Sequence, residues 1–76
     1  MKIVLSSHAQ ERIIERNIKK SDVIEAIKNP DITCPTRHKH RKRVMKSLNN
    51  ATLDVIIKEK DEKIIVVTCA VLKKEA

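Results

Sequence analysis

The stretch from Ser7 to Ile18 contains a helix start and a helix stop within twelve residues, which constrains the fold more than any other part of the chain. Ser7 and Gln10 match a capping box, in which each side chain pairs with the other residue's free backbone N–H. Asn17 suits the left-handed residue that ends a helix, with Ile18 folding back onto the last turn. The stretch therefore predicts a short helix with an apolar stripe of Ala9, Ile13 and Ile14.

A row of basic side chains lies beside this stripe. His8, Arg12 and Arg16 are spaced four apart and line up along one edge of the helix. The row is either a solvated flank, in which Glu15 offsets Arg12, or one side of a phosphate-binding site. Charge rows of this kind are usually solvated, so these residues alone favour the first interpretation.

The remaining patterns predict strands and one further helix. Lys2–Leu5 is long enough for a strand, and a second helix is predicted from Ser21 to Lys28, stopped by Asn29-Pro30. Residues 31–36 suit either an edge strand or an extended loop. Further strands are predicted through Val44–Leu48, over Leu53–Lys58 and over Ile64–Leu72, with turns at Asn49-Asn50 and Lys60–Lys63 and a frayed tail at Lys73–Ala76.

The predicted element order is β-α-α-β-β-β, which is an α+β arrangement in a single domain over residues 1–76. We expect a mainly antiparallel sheet with two helices on one side. Ile64–Leu72 is apolar on both faces and is therefore predicted to be an interior strand.

The pattern Ser7-His8-Ala9-x-x-Arg12-x-x-x-Arg16-Asn17-Ile18, followed by the short second helix, resembles a bacterial domain-of-unknown-function family (number four-two-five-eight). That family is placed with the RelE-like ribonuclease toxins, in the fold group of barnase, EndoU and the tRNA-cleaving colicins. The resemblance implies a RelE-like fold and an RNA-directed toxin. The chain has Asn17 where the family commonly has Gly, lacks a capping hydroxyl at Lys19, which shifts the expected cap to Ser21, and has no aromatic residue.

The net charge of +7 on 76 residues favours a polyanionic partner. RNA is the first candidate, and an acidic partner protein, such as an antitoxin, is the second. We expect no membrane partner, because the chain has no basic amphipathic helix with bulky apolar anchors. Since there is neither a long apolar run nor a signal-peptide segment, we expect a cytoplasmic protein. No nucleotide-cofactor motif is present, so we expect no cofactor.

The basic run from Arg37 to Arg43 is the strongest electrostatic feature of the chain. If the run is already strand, alternate cations project to one face at a spacing of about 6–7 Å, which roughly matches successive phosphates. His38, His40 and Lys42 would then share the face of Val44. The alternative is a solvated loop whose charge only blocks edge-to-edge pairing. The predicted nucleic-acid contacts are Arg16, Arg37, Lys39, Arg41 and Arg43.

His8 is the candidate for acid–base chemistry, because imidazole gains and loses a proton near neutral pH. In the predicted metal-free reaction, His8 takes the proton of a ribose 2′-hydroxyl. Arg12 and one or more of Arg16, Arg41 and Arg43, with Arg43 the first choice, stabilise charge on the attacked phosphate. Thr68 falls near the family's late-strand threonine and would point into the same cleft. The alternatives are that His8 only packs at the helix start and that Thr68 only reflects strand propensity.

The two cysteines, Cys34 and Cys69, are expected to be free thiols in a cytoplasmic protein. Cys69 lies in the most apolar run and is predicted to be a small core residue. Cys34, His38 and His40 lie close together, but their spacing matches no standard zinc pattern, so no metal site is predicted.

Overall fold

The computed structural model describes residues 2–48 and 51–73. The predicted Asn49-Asn50 turn and residues 74–76 of the predicted tail lie outside the described residues. Lys73, which was predicted in the tail, is the last residue of the last strand. The elements in chain order are β1 (Lys2–Leu5), α1 (Ser7–Glu15), α2 (Lys20–Lys28), β2 (Ile32–Pro35), β3 (Arg41–Ser47), β4 (Ala51–Lys60) and β5 (Lys63–Lys73).

In the described part of the chain, the strands form one sheet in the order β1-β5-β4-β3-β2. Every neighbouring pair is antiparallel except β1 and β5, which run parallel. The predicted α+β class and the mainly antiparallel sheet are confirmed. β5 has a neighbour on each side, as predicted. The described sheet contains one strand more than the predicted element order, because residues 32–35 form the edge strand β2.

Strand alternation separates two faces of the sheet. Val44, Leu53, Val55 and Cys69 are buried and contact both helices' buried residues in one hydrophobic core. α1 packs against β5, and α2 packs against β3 and β4. Both helices therefore cover the same face, as predicted. The opposite face, here called the open face, carries Arg43, Met45, Asp54, Ile56 and Thr68.

The cap of α1 differs from the prediction by one residue. The cap is Ser6, whose hydroxyl accepts a hydrogen bond from the Ala9 N–H at 3.1 Å. The Ser6 hydroxyl also donates to the Val67 carbonyl at 3.0 Å. Val67 is the extra residue of a β-bulge opposite Ile56 and Ile57, and Ser6 satisfies the carbonyl that the bulge displaces from the ladder. The prediction of a Ser7–Gln10 capping box is wrong, because Ser6 is the cap and the Gln10 side-chain amide donates to the Leu5 carbonyl.

The stop of α1 is confirmed. Asn17 has a positive φ of 52°, and the Ile18 N–H reaches the Ile13 carbonyl at 2.9 Å, which is a Schellman motif. Ile18 is buried as expected. Ile14, which was predicted in the apolar stripe, is 81% exposed. Ala9 faces the core, and Ile14 lies five residues further along, on the outer side of the helix.

α2 begins at Lys20 rather than Ser21, and its cap, Lys19, makes no side-chain capping bond. Val23 and Ala26 form its buried contact with the core, while Ile24 and Ile27 are partly buried. The predicted stop at Asn29 is confirmed.

The basic run is not one strand. β3 begins at Arg41, so Arg37 and Lys39 lie in the connection between β2 and β3. The predicted row of four cations on one strand face is therefore wrong. Of the four, Arg41 and Arg43 lie in β3, two residues apart and on the same face of the strand. His38 and His40 are exposed rather than facing the core.

The predicted turn between Lys60 and Lys63 is confirmed, because these residues close the β4–β5 hairpin. Asp61 and Glu62 both have positive φ, which matches a two-residue hairpin turn whose twist fits the flanking strands.

Substitutions at Asn17 test the assigned C-terminal end of α1. Replacing Asn17 with Ala places a Cβ-bearing residue without local hydrogen bonding in the left-handed region, which costs about 1–2 kcal/mol of folding free energy. For a domain of this size, we expect the melting temperature to fall by about 4–8 °C per kcal/mol. Asn17→Gly is the matched control and should melt at or above the parent temperature by circular dichroism. Equal melting of both variants would contradict the assigned stop.

Candidate nucleic-acid interface

The first polar cluster lies along α1. The Arg12 Nε donates to the His8 Nε2 at 3.4 Å, and the Arg12 Nη1 contacts the Glu15 Oε2 at 3.2 Å. In this arrangement the Arg12 guanidinium is the donor and the His8 imidazole is the acceptor. The two predicted catalytic residues of α1 are thus brought together, with Glu15 holding the guanidinium from the other side.

Arg16 continues the row but has a different setting. Its backbone N–H closes the last turn of α1 onto the Arg12 carbonyl. Its side chain lines a hollow of about 430 Å³ beside Asp22 and Val71. The side chain makes no hydrogen bond or ion pair with another described residue, so its charge remains available to an anion.

Arg43 is committed to Asp54. The Arg43 Nε contacts the two Asp54 carboxylate oxygens at 2.8 and 3.0 Å, and the Arg43 Nη2 also donates to Asp54 Oδ2. Asp54 is only 8% exposed, and its hydrogen bond raises the pKa of Arg43 above the ordinary value. A phosphate at Arg43 would have to share this guanidinium with the carboxylate.

The predicted catalytic residues fall on two sides of the sheet. Thr68 and Arg43 lie on the open face, since their strand neighbours Cys69 and Val44 are buried in the core. His8 and Arg12 belong to α1, which packs on the core face. The expected single hollow that contains all four residues is therefore not formed. The catalytic roles of these residues remain predictions.

A cationic turn, defined as residues 36–40, connects β2 and β3. The Thr36 hydroxyl accepts from the His38 N–H at 3.1 Å, and its oxygen lies 3.3 Å from the Arg41 carbonyl oxygen. The Arg41 N–H donates to the His38 carbonyl at 3.2 Å. These bonds fix the backbone that carries the basic residues. The side chains of Arg37, Lys39 and Arg41 form no hydrogen bond or ion pair with other residues in ranges 2–48 and 51–73.

A hollow of about 510 Å³, here called the cationic hollow, lies against this turn. Its basic side chains come from five consecutive positions, and Arg37 is not among them. Glu59 is the carboxylate in the lining, and its Oε1 lies 3.5 Å from the Lys42 Nζ. The basic lining residues are His38, Lys39, His40, Arg41 and Lys42.

Two contributors were missed in the sequence. Asp54 could have been identified, because it is the carboxylate within the apolar stretch Leu53–Ile57. Thr36 carries no such signal, since its role depends on how the turn closes.

Both cysteines are free thiols, as expected, and Cys69 is a buried core residue. No three His, Cys, Asp or Glu residues are grouped for metal binding in the described part of the chain. Neither α1 nor α2 is long and apolar enough to cross a membrane.

A protein-family model described as "Domain of unknown function (DUF4258)" matches residues 5–70. The chain belongs to the DUF4258 family. The DUF4258 match begins just before the Ser6 cap and ends within β5, so it includes α1, the cationic turn and Thr68. This confirms the family predicted from the α1 motif. No curated protein and no solved structure matches the chain significantly.

Cys69 gives this DUF4258 protein a testable dependence on alkaline pH. Burial raises the pKa of the Cys69 thiol, while the charges of Arg16 and Arg12 partly oppose this. Above the ordinary thiol pKa, the unfolded chain loses this proton while the folded protein retains it, so the free energy of unfolding should decrease. This contribution is fully present below the ordinary thiol pKa.

We expect Cys69→Ala to reduce the decline in unfolding free energy between pH 8 and pH 10, measured by urea denaturation. Cys34→Ala, as a control, should leave the parental decline unchanged. Identical declines in all three proteins would contradict the assigned burial effect.

Proposed function

We propose that this protein acts on RNA and binds the phosphate backbone at the cationic turn. One observation carries the proposal: the side chains of Arg37 and Lys39, on the hydrogen-bonded turn, and of Arg41, directly after it, have no carboxylate partner among the described residues. Unpaired cations need not give up an existing ion pair when they bind a phosphate. Arg16 offers a further unpaired charge on the helical side.

The chemistry of the chain favours backbone contacts over base stacking. No Phe, Tyr or Trp is present, so stacking platforms for exposed bases are absent. Arginine and lysine contacts to phosphate position a strand without reading its sequence. RNA, rather than DNA, follows from the proposed place of this family beside the RelE-like toxins. An acidic partner protein, of the antitoxin kind, would compete for the same cations in the cytoplasm.

Binding is tested with a fluorescent single-stranded RNA across a salt series. Each phosphate contact on a single strand contributes a slope of about −0.7 to the plot of log affinity against log salt. A triple Gln variant at Arg37, Lys39 and Arg41 should therefore lose affinity and reduce the slope by about 2.

The matched control replaces Lys20, Lys28 and Lys63 with Gln, which removes the same charge from exposed positions outside the turn. This control should retain most of the affinity and slope. Equal losses in both triple variants would reduce the proposal to non-specific attraction by net charge.

Metal-free RNA cleavage at His8 is the second candidate function, and the His8–Arg12 hydrogen bond favours it. In its unprotonated form, the His8 Nε2 would take the 2′-hydroxyl proton, and the 2′-oxygen would attack the adjacent phosphorus. The P–O5′ bond would break, giving a 2′,3′-cyclic phosphate, and the departing 5′-oxygen would take a proton from water. The proton held by His8 would then pass to the hydroxide that remains. Arg12 would turn from His8 to the phosphoryl oxygens. Arg43 and Thr68, across the sheet, would serve RNA binding rather than this step.

Cleavage is tested on RNA in the presence of a chelator. Loss of a general base typically reduces the rate by about 10²–10⁴-fold, and we expect this for His8→Ala. His38→Ala is the control, because it removes an exposed imidazole from the turn and should leave the cleavage rate at saturating RNA unchanged. A substrate with 2′-deoxy at the scissile position should remain intact. Cleavage by His8→Ala at the parental rate would exclude this mechanism and leave RNA binding.

A further inference from the structure

The cationic hollow is a concave part of the basic surface and gathers five of its basic residues. It lies where the turn after β2, the start of β3 and the end of β4 meet, and its volume is about 510 Å³. A continuous RNA strand lies along a surface, whereas a concavity of this size admits a terminal group that enters end-on.

The charge of the lining selects among such groups. Glu59 is engaged by Lys42, so its negative charge is already offset. Lys39 and Arg41 are left without a partner among the described residues and line the same hollow. A phosphomonoester carries about −1.5 to −2 charges at pH 7, compared with one charge on an internal phosphodiester. It also presents three acceptor oxygens to several donors at once.

The turn is organised before any ligand arrives. Thr36 fixes the backbone at His38, and the His38 carbonyl accepts the Arg41 N–H. The backbone positions of Lys39 and Arg41 are therefore set by the protein's own hydrogen bonds, which lowers the ordering cost of binding.

We propose that the cationic hollow binds the phosphorylated end of an RNA strand. This rests on the proposed RNA binding and adds to it a preference for a terminal phosphomonoester. Lys39 and Arg41 contact the terminal phosphate, while Arg37, outside the hollow, contacts the adjoining backbone.

The experiment compares one labelled RNA octamer with a 5′-phosphate, with a 3′-phosphate and with hydroxyl groups at both ends. Fluorescence anisotropy near 150 mM salt should show roughly tenfold tighter binding for a phosphorylated end, in keeping with the stronger hydrogen bonds of a doubly charged acceptor. The better of the two phosphorylated RNAs identifies the end that enters the hollow.

Two single variants locate the effect. Lys39→Gln should remove the preference for phosphorylated ends, and Arg37→Gln, with the same loss of charge, should keep it. Both positions are exposed, and unchanged melting temperatures verify the folds. Loss of the preference in both variants, or in neither, overturns the assignment to the hollow.

The remaining outcomes separate this inference from the proposed function. Equal binding of all three octamers overturns the terminal preference while RNA binding stands. Failure of every octamer to bind overturns both. Adenosine monophosphate is added as a competitor of the phosphorylated octamer. If it displaces the octamer at concentrations as low as those at which the octamer itself binds, the ligand of the hollow is a free nucleotide, and the assignment to an RNA end is overturned.

Discussion

The alternation of side chains along β4 is the constraint on which the rest of the structure depends. Leu53 and Val55 enter the core beneath the helices, and Asp54, between them, points to the open face. A one-residue slip of β4 would turn the carboxylate away from Arg43 into the apolar core and move the apolar side chains to the open face. Arg43 meets Asp54 only in the observed register of β3 and β4, so the ion pair and the core specify the same alignment.

The basic residues of the DUF4258 chain divide into those that are paired with carboxylates and those that are not. Arg12 and Arg43 hold carboxylates of their own, whereas Arg16, Arg37, Lys39 and Arg41 have no partner among the described residues. The paired cations hold neighbouring side chains in place. The unpaired cations produce an electrostatic potential around the protein, and at 0.1 M salt this potential is screened with a Debye length of about 10 Å. Long-range attraction to a polyanion and local structure therefore come from different basic residues.

Much of the fold was predictable because its signals are local. Asn17 accepts positive φ, Asn29-Pro30 ends a helix, and Leu53 and Val55 alternate with polar residues. The cap of α1 was not decidable locally, since Ser6 and Ser7 are equally good candidates. Ser6 takes the role because its hydroxyl also reaches Val67, a contact 61 positions away in the chain.

The candidate site was less predictable, because its arrangement depends on contacts between residues far apart in the sequence. Composition and the run of cations pointed to the cationic turn, but the place where β3 begins depends on pairing with β2 and β4. That boundary removed Arg37 and Lys39 from the strand and placed them on the connection. The separation of His8 from Arg43 likewise depends on which face each strand residue takes once the sheet is assembled.

The parallel pairing of β1 with β5 has a consequence for how the protein is made. A ribosome releases the first strand and α1 long before the strand that must lie beside them. Until β5 emerges, the nascent Ile3 and Leu5 have no sheet to join, and the apolar side of α1 stays accessible to chaperones. Addition of β1 to the sheet is thus a late, long-range event, because it closes a loop that spans most of the polypeptide.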